Sequence, residues 1–141
     1  NNNFQKILIG KGKILKKGKK IAFLNLGTRL KKVLEINEMI KNHHKLNCTV
    51  VDMRFAKPID AKLIQNLNKT HDIFITIEEN AIGGFSSQVN DLLINKLNKT
   101  PKILNFFMKD EFIDQSDIDD QYNKSGISKE LIFDKISTLL K

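Results

Sequence analysis

Four apolar runs punctuate the chain: "KIAFLNLG", "CTVVDMRF", "DIFITIEEN" and "PKILNFFM". Between and after them lie stretches whose apolar residues fall three and four apart. No other feature constrains the fold as tightly. Short apolar runs without polar alternation are strands covered on both faces, and apolar spacing of three and four marks one face of a helix. Strand and helix in alternation imply a mostly parallel sheet with helices on both sides, an α/β fold.

The punctuation agrees. Thr28 follows Gly27 and is expected to cap a helix with Leu30, Val33, Leu34, Asn37 and Ile40 on one face. His43 and His44 close that helix, where the dipole favours them. Pro58 breaks the chain, and Asp60 caps a helix that turns Leu63, Ile64 and Leu67 inward. Ser86 or Ser87 caps the next, with Val89, Leu92, Leu93 and Leu97 inward. Pro101 opens the fourth strand, where a missing N–H is tolerated. Ser116 caps a short helix that carries Ile118 and Tyr122 and stops at Gly126. Ser128 caps the last, with Ile132, Ile136, Leu139 and Leu140 on one side. No repeat or low-complexity linker intervenes, so residues 1–141 form one domain.

The net charge of +8 invites a nucleic-acid function, but its distribution argues against one. Residues 1–20 hold seven lysines and no acid, whereas the rest of the chain carries 17 basic against 16 acidic side chains. The basicity is one arm, "KGKILKKGKK", without interleaved aromatics for stacking. "FQKILIGKGKILKKGKK" as a whole reads as a pair of short strands with turns around Gly10, Gly12 and Gly18, and its basic part as a solvated Lys-rich hairpin or edge strand, where lysine also blocks edge-to-edge pairing. Gly10-Lys11-Gly12-Lys13 lacks the spacing and the Ser or Thr of a phosphate loop. No apolar run approaches the ~20 residues of a bilayer span. Neither a nucleic-acid nor a membrane partner is therefore expected. The single cysteine, Cys48, opens an apolar run and reads as a small core residue. The chain starts at Asn1, without methionine, and reads as a piece of a longer polypeptide. Lysine outnumbers arginine 22 to 2, a skew of AT-rich genomes, and this singles out Arg29 and Arg54.

Ligands of open α/β sheets gather at the carboxyl ends of the strands. The first of the four runs ends in Gly27, Thr28 and Arg29, the second in Arg54 and Lys57, and the third in Glu78 and Glu79. If the second and third strands are neighbours, Arg54 reaches a glutamate. It then either forms an internal ion pair or, with the N–H groups near Gly83 and Gly84, makes an anion site. The internal pair is favoured, because charges at strand ends are usually satisfied within the protein. Adjacent residues of a strand point to opposite faces, so Glu78 and Glu79 do not converge as an acid–base pair. No Ser-His-Asp arrangement is discernible: His43, His44 and His71 lie in or beside helices. The acidic run from Asp110 to Asp120 lacks the glycine and terminal glutamate of a calcium loop and reads as a solvated loop and helix start. No catalytic, cofactor-binding or metal-binding residue is assigned.

"ILIGKGKILKKGKKIAFLNLGT", "TVVDMRFAKPID", "HDIFITIEENAIGGFSSQVN" and "KDEFIDQ", in that order, resemble the C-terminal domain of the 1-deoxy-D-xylulose-5-phosphate synthases, transketolase-like enzymes that depend on thiamine diphosphate. The resemblance runs from Ile7 to Leu140. "VVDMRFAKPID" and "EENAIGGFSS" are its most specific parts. The Arg-x-x-x-Pro-x-Asp element within it, Arg54 to Asp60, also resembles transketolases and the beta subunits of 2-oxo-acid dehydrogenases.

The resemblance implies a three-layer α/β/α sandwich. It implies an enzyme that condenses pyruvate with glyceraldehyde 3-phosphate to 1-deoxy-D-xylulose 5-phosphate and carbon dioxide. It also implies thiamine diphosphate and Mg²⁺ bound by upstream domains, which would be this chain's partners, together with a homodimer. On that view the chain alone is inactive, and Glu78, Glu79 and Arg54 hold loops or help docking. In an AT-rich eukaryote a plastid-type organelle is expected, and otherwise the cytoplasm. The sequence departs from the family in three places. The loop after "ENAI" is shorter than in many bacterial members, the bulky Phe107-Met108-Lys109-Asp110 replaces Gly-Leu-Pro-Asp, and "NHHKLN" is inserted.

Overall fold

A computed structural model describes residues 6–141. In chain order the elements are β1 (Lys13–Lys16), β2 (Lys20–Asn25), α1 (Leu30–His44), β3 (Thr49–Asp52), α2 (Ala61–Asn68), β4 (His71–Ile77), α3 (Phe85–Asn95), β5 (Lys102–Phe106), α4 (Ile118–Ser125) and α5 (Lys129–Leu140). The strands form one sheet in the order β1-β3-β2-β4-β5. Every pair is parallel except β1 on β3. Phe23 sits opposite both Val50 and Ile75, so β2 is the central strand.

Side chains of successive strand residues go to opposite faces, and two cores result. Ile21, Phe23, Ile73, Ile75 and Ile77 meet Val33, Ile36 and Ile40 of α1 and Ile132 and Ile136 of α5. Ala22, Leu24, Val51 and Phe74 meet Ile64 and Leu67 of α2 and Phe85, Val89 and Leu93 of α3. This is the expected α/β/α sandwich.

The basic arm differs from expectation. Among the described residues it supplies one strand, β1, before β2 begins at Lys20, and β1 pairs antiparallel with β3. A mixed edge results, and four residues with only their inner groups paired make a short, Lys-bearing edge. Residues 1–5 of the proposed hairpin lie outside the described residues. His71 opens β4, buried, with Nε2 2.8 Å from the Thr49 hydroxyl. Cys48 is buried, and burial pushes its thiol up to about 12, in keeping with a core residue.

Three helix starts depart from the serine and threonine caps expected. Thr28 turns to Glu79, and Arg29 occupies the N-cap of α1 without a side-chain bond. Gly84, not a serine, is the N-cap of α3. Asp117 replaces Ser116 at the start of α4, and the Ser116 hydroxyl is buried without a partner among the described residues. Ser128 holds the expected position before α5 but makes no capping bond. Only Asp60 behaves as anticipated: its carboxylate accepts from the Leu63 N–H (3.2 Å), and it also accepts from Gly12 N–H (3.2 Å), which ties the arm to α2.

Candidate functional site

The topology dictates where a crevice must lie. From β2 the chain crosses through α1 to β3 on one side, while from β4 it crosses through α3 to β5 on the other. The carboxyl ends of β2 and β4 are therefore adjacent at a switch point, the usual ligand position of an open α/β sheet. Asn25, Gly27, Thr28 and Arg29 leave β2 there, and Glu78 and Glu79 leave β4.

Each glutamate is already engaged. Glu78 is fully buried, and its two carboxylate oxygens accept from the Phe85 and Ser86 N–H groups, both at 2.7 Å. Those are the first amides of α3, which lack helical partners and carry the positive end of the dipole. The loop is built for the visit. Gly83 has φ +99°, which a side chain disfavours, and a Cβ on Gly84 would fall on the Glu78 carboxylate. The N–H groups beyond Gly83 and Gly84, one half of the alternative anion site with Arg54, are taken by the protein's own carboxylate, and Arg54 is not beside them.

Glu79 turns to the opposite face. It accepts from the Thr28 hydroxyl at 2.7 Å and from the Tyr122 hydroxyl of α4. The crevice between β2 and β4 is thus bridged by a Thr28–Glu79–Tyr122 chain of protein groups.

Arg54 is not part of either arrangement. The expectation that it pairs with a glutamate fails because β2 lies between β3 and β4. Its Nε instead meets Asp52 Oδ2 at 3.6 Å, and its own N–H donates to Asp52 Oδ1 at 3.2 Å. Both partners are partly exposed, and Arg54 holds φ +60°, so this is a local turn rather than a tie between loops.

Residue patterns did not reveal a second cluster. Arg29 is 5% exposed, its guanidinium carbon lies 3.7 Å from the centroid of the Tyr122 ring, and its Nη2 donates to the Ile127 carbonyl at 3.1 Å. It lines a cleft of about 230 Å³ with Lys32, Tyr122, Ser128, Lys129 and Glu130. The one available signal was the rarity of arginine. The partners come from α4 and from the link between α4 and α5, almost a hundred residues downstream, which spacing alone does not connect.

The described residues contain no group of three or more His, Cys, Asp or Glu side chains arranged to hold a metal ion. No helix among them is long and apolar enough to cross a membrane.

Comparison with known proteins gives a family. Residues 10–132 match the family described as "Transketolase, C-terminal domain". The chain is 40% identical over 138 residues to the 1-deoxy-D-xylulose-5-phosphate synthase of Psychromonas ingrahamii, covering 94% of this chain and 21% of that protein. It is 44% identical over 129 residues to the protein of the same name from Haemophilus influenzae, covering 91% and 20%. The chain thus spans about a fifth of the length of these relatives and aligns with their C-terminal portion. Among solved structures, a "Split gene transketolase, inactive beta4 tetramer" superposes with a TM-score of 0.86 at 27% identity, covering 96% of this chain and 44% of that one. Campylobacter jejuni transketolase superposes at 0.59 with 17% identity, covering 92% and 18%, a likeness of fold alone.

Proposed function

The chain belongs to the transketolase C-terminal domain family, and from that premise we propose that it is the C-terminal domain of a 1-deoxy-D-xylulose-5-phosphate synthase. The whole enzyme would join pyruvate to glyceraldehyde 3-phosphate, release carbon dioxide and form 1-deoxy-D-xylulose 5-phosphate. The observation that carries this reading is the alignment with the C-terminal fifth of proteins of that name at 40% and 44% identity.

At the switch point between β2 and β4 the residues present do not fit thiamine diphosphate and Mg²⁺. The strand-end carboxylates and the free amides of α3 are used up within the fold: Glu78 closes the helix, and Glu79 holds Thr28 and Tyr122. No step of the reaction is assigned here, and we propose that upstream domains of the same polypeptide hold cofactor and metal. The role of this chain is assembly. Ile82 and Phe112 stand exposed in the loops beyond β4 and β5. Phe112 flanks a hollow of about 270 Å³ with Ala81, Lys109, Asp110 and Glu111. Apolar side chains displayed together at one end of a sheet favour a protein neighbour. We propose that the neighbour is the upstream part of the polypeptide, within a homodimer. The Lys-to-Arg skew points to an AT-rich genome; if that genome is a eukaryote's, a plastid-type organelle is the proposed location, and otherwise the cytoplasm.

The test is to express the longest reading frame that carries this chain and supply pyruvate, glyceraldehyde 3-phosphate, thiamine diphosphate and Mg²⁺. Formation of 1-deoxyxylulose 5-phosphate by that polypeptide, with none from the isolated 141-residue chain, is expected. Turnover of other ketoses or 2-oxo acids in its place would assign the chain to a different thiamine-diphosphate enzyme.

A further inference from the structure

We propose that the cleft between the starts of α1, α4 and α5 binds a phosphate group, held by Arg29, Ser128 and the first-turn amides of α5. The inference holds whichever enzyme carries the chain.

The central observation is an incompletely satisfied arginine. Arg29 is 5% exposed, yet among the described residues its side chain donates only to the neutral Ile127 carbonyl, and it lies against the Tyr122 ring. Its Nε is buried without a partner among the described residues. Its guanidinium forms no ion pair within 4 Å among the described residues. A buried charge without a counter-ion is unfavourable, so the site calls for an anion.

The second observation is independent. Ser128 is 5% exposed at the N-cap of α5, a helix of 12 residues, and its hydroxyl neither caps the helix nor finds another partner among the described residues. Both Arg29 and Ser128 line the cleft. At the start of α5 the unpaired amides and the dipole add to an attraction for negative charge. The start of α1, at Arg29 and Lys32 beside it, has no side-chain cap either.

The remaining charges define the ligand. Lys32 and Lys129 line the cleft but share Glu35, at 3.8 Å and 3.3 Å, and Asp119 and Glu130 stand at its wall. A carboxylate would meet one strong donor among these opposing charges. A phosphate can use the guanidinium, the hydroxyl and the amides together, since its oxygens point in several directions. The cleft's 230 Å³ is below the roughly 300–1,000 Å³ of sites for drug-sized ligands, so the phosphate is free or carries only a small organic remainder.

The test is a titration of the ¹⁵N-labelled 141-residue chain with inorganic phosphate at constant ionic strength, followed by amide and arginine side-chain NMR signals. Saturable shifts at Lys129, Glu130, Leu131 and the Arg29 Nε–H are expected. A parallel titration with glycerol phosphate separates the two sources: tighter binding selects a phosphorylated small molecule, and equal or weaker binding selects the free ion. Ser128→Asp supplies an internal carboxylate at the helix start. It should keep the fold and weaken phosphate binding by about tenfold or more, the equivalent of one charge-assisted hydrogen bond. Absence of shifts, shifts confined to the Lys-rich residues 11–20, or an unchanged affinity in Ser128→Asp would each overturn the proposal.

Discussion

Glu78 and Glu79 are neighbours in sequence and opposites in role. Glu78 is fully buried and closes the start of α3 with two short bonds to backbone amides. Glu79 is half-buried and holds two hydroxyls from distant parts of the chain. On the α3 face the helix start is satisfied from within. On the α1 and α5 face the helix starts lack side-chain caps, and Arg29 and Ser128 keep unpartnered atoms. One pair of carboxylates therefore divides the sheet end into a closed half and an open half. The difference teaches that a glycine-rich loop beside acidic residues need not await a ligand, since the acid can itself be the ligand.

The largest expected effect comes from opening the closed half. Glu78→Ala leaves two buried amides without acceptors and should cost roughly 2–4 kcal/mol, read as a lower midpoint in urea at unchanged slope. A loss within the scatter of surface substitutions would mean that water replaces the carboxylate, and the contrast between the halves would collapse. Gly84→Ala attacks the same bond from the other side. Its methyl would fall on the Glu78 carboxylate and should cost roughly 1–3 kcal/mol by crowding. Gly83→Ala is the internal comparison. It meets open space and should lose only the roughly 1 kcal/mol of a positive φ.

How much of this was legible in the sequence follows from the range of each interaction. The four parallel strands, the five helices and most of their inward residues were readable because periodicity is local and the cores are apolar; Ile36, buried in α1, and Ile118, exposed on α4, are exceptions. The Asp60 cap was readable for the same reason, since acceptor and donor lie three residues apart. The α3 cap was not: seven and eight residues separate Glu78 from its donors, and the nearby serines offered a plausible local alternative. The Arg54 expectation failed on strand order, because β2 is central and comes before both strands assumed to touch. Of the arm's two expected strands only β1 forms among the described residues, as alternating lysines and apolar residues suit a strand or an extended segment equally. Rarity alone marks Arg29 in the sequence. Its neighbours in α4 and α5 are fixed by the last crossover of the chain, which carries no signature.

A milder change sharpens the contrast. Glu79→Gln keeps the shape of the Thr28–Glu79–Tyr122 bridge but weakens both of its bonds. It should cost about 0.5–1.5 kcal/mol, less than Glu78→Ala, because hydroxyl donors near the surface can turn to water while buried amides cannot. Paired unfolding curves decide the ranking. If Glu79→Gln proves the costlier, the bridge and not the α3 cap is the keystone of the sheet end.

The smallest effect distinguishes the halves by their response to pH and salt. On the open side, Lys129 of α5 donates to Glu35 of α1 at 3.3 Å, which holds the Glu35 carboxyl below and the Lys129 ammonium above their ordinary values. A lowered carboxyl contributes stability above its ordinary value of 4.5 and loses it as pH falls through the lower folded value. The raised ammonium contributes fully below its ordinary 10.5 and loses that as pH rises through the higher folded value. The stability difference between the native chain and Glu35→Gln should therefore be flat from about pH 5 to pH 10, vanish in acid and shrink with salt. The Glu78→Ala difference should barely respond to salt, as its bonds are buried and run to neutral amides. Glu35→Gln also releases Lys32 and Lys129 toward the cleft, so phosphate should bind about two- to threefold more tightly than to the native chain. A weaker or unchanged affinity in that variant would separate the two lysines from the cleft and leave Arg29 and the α5 amides as its sole source of attraction.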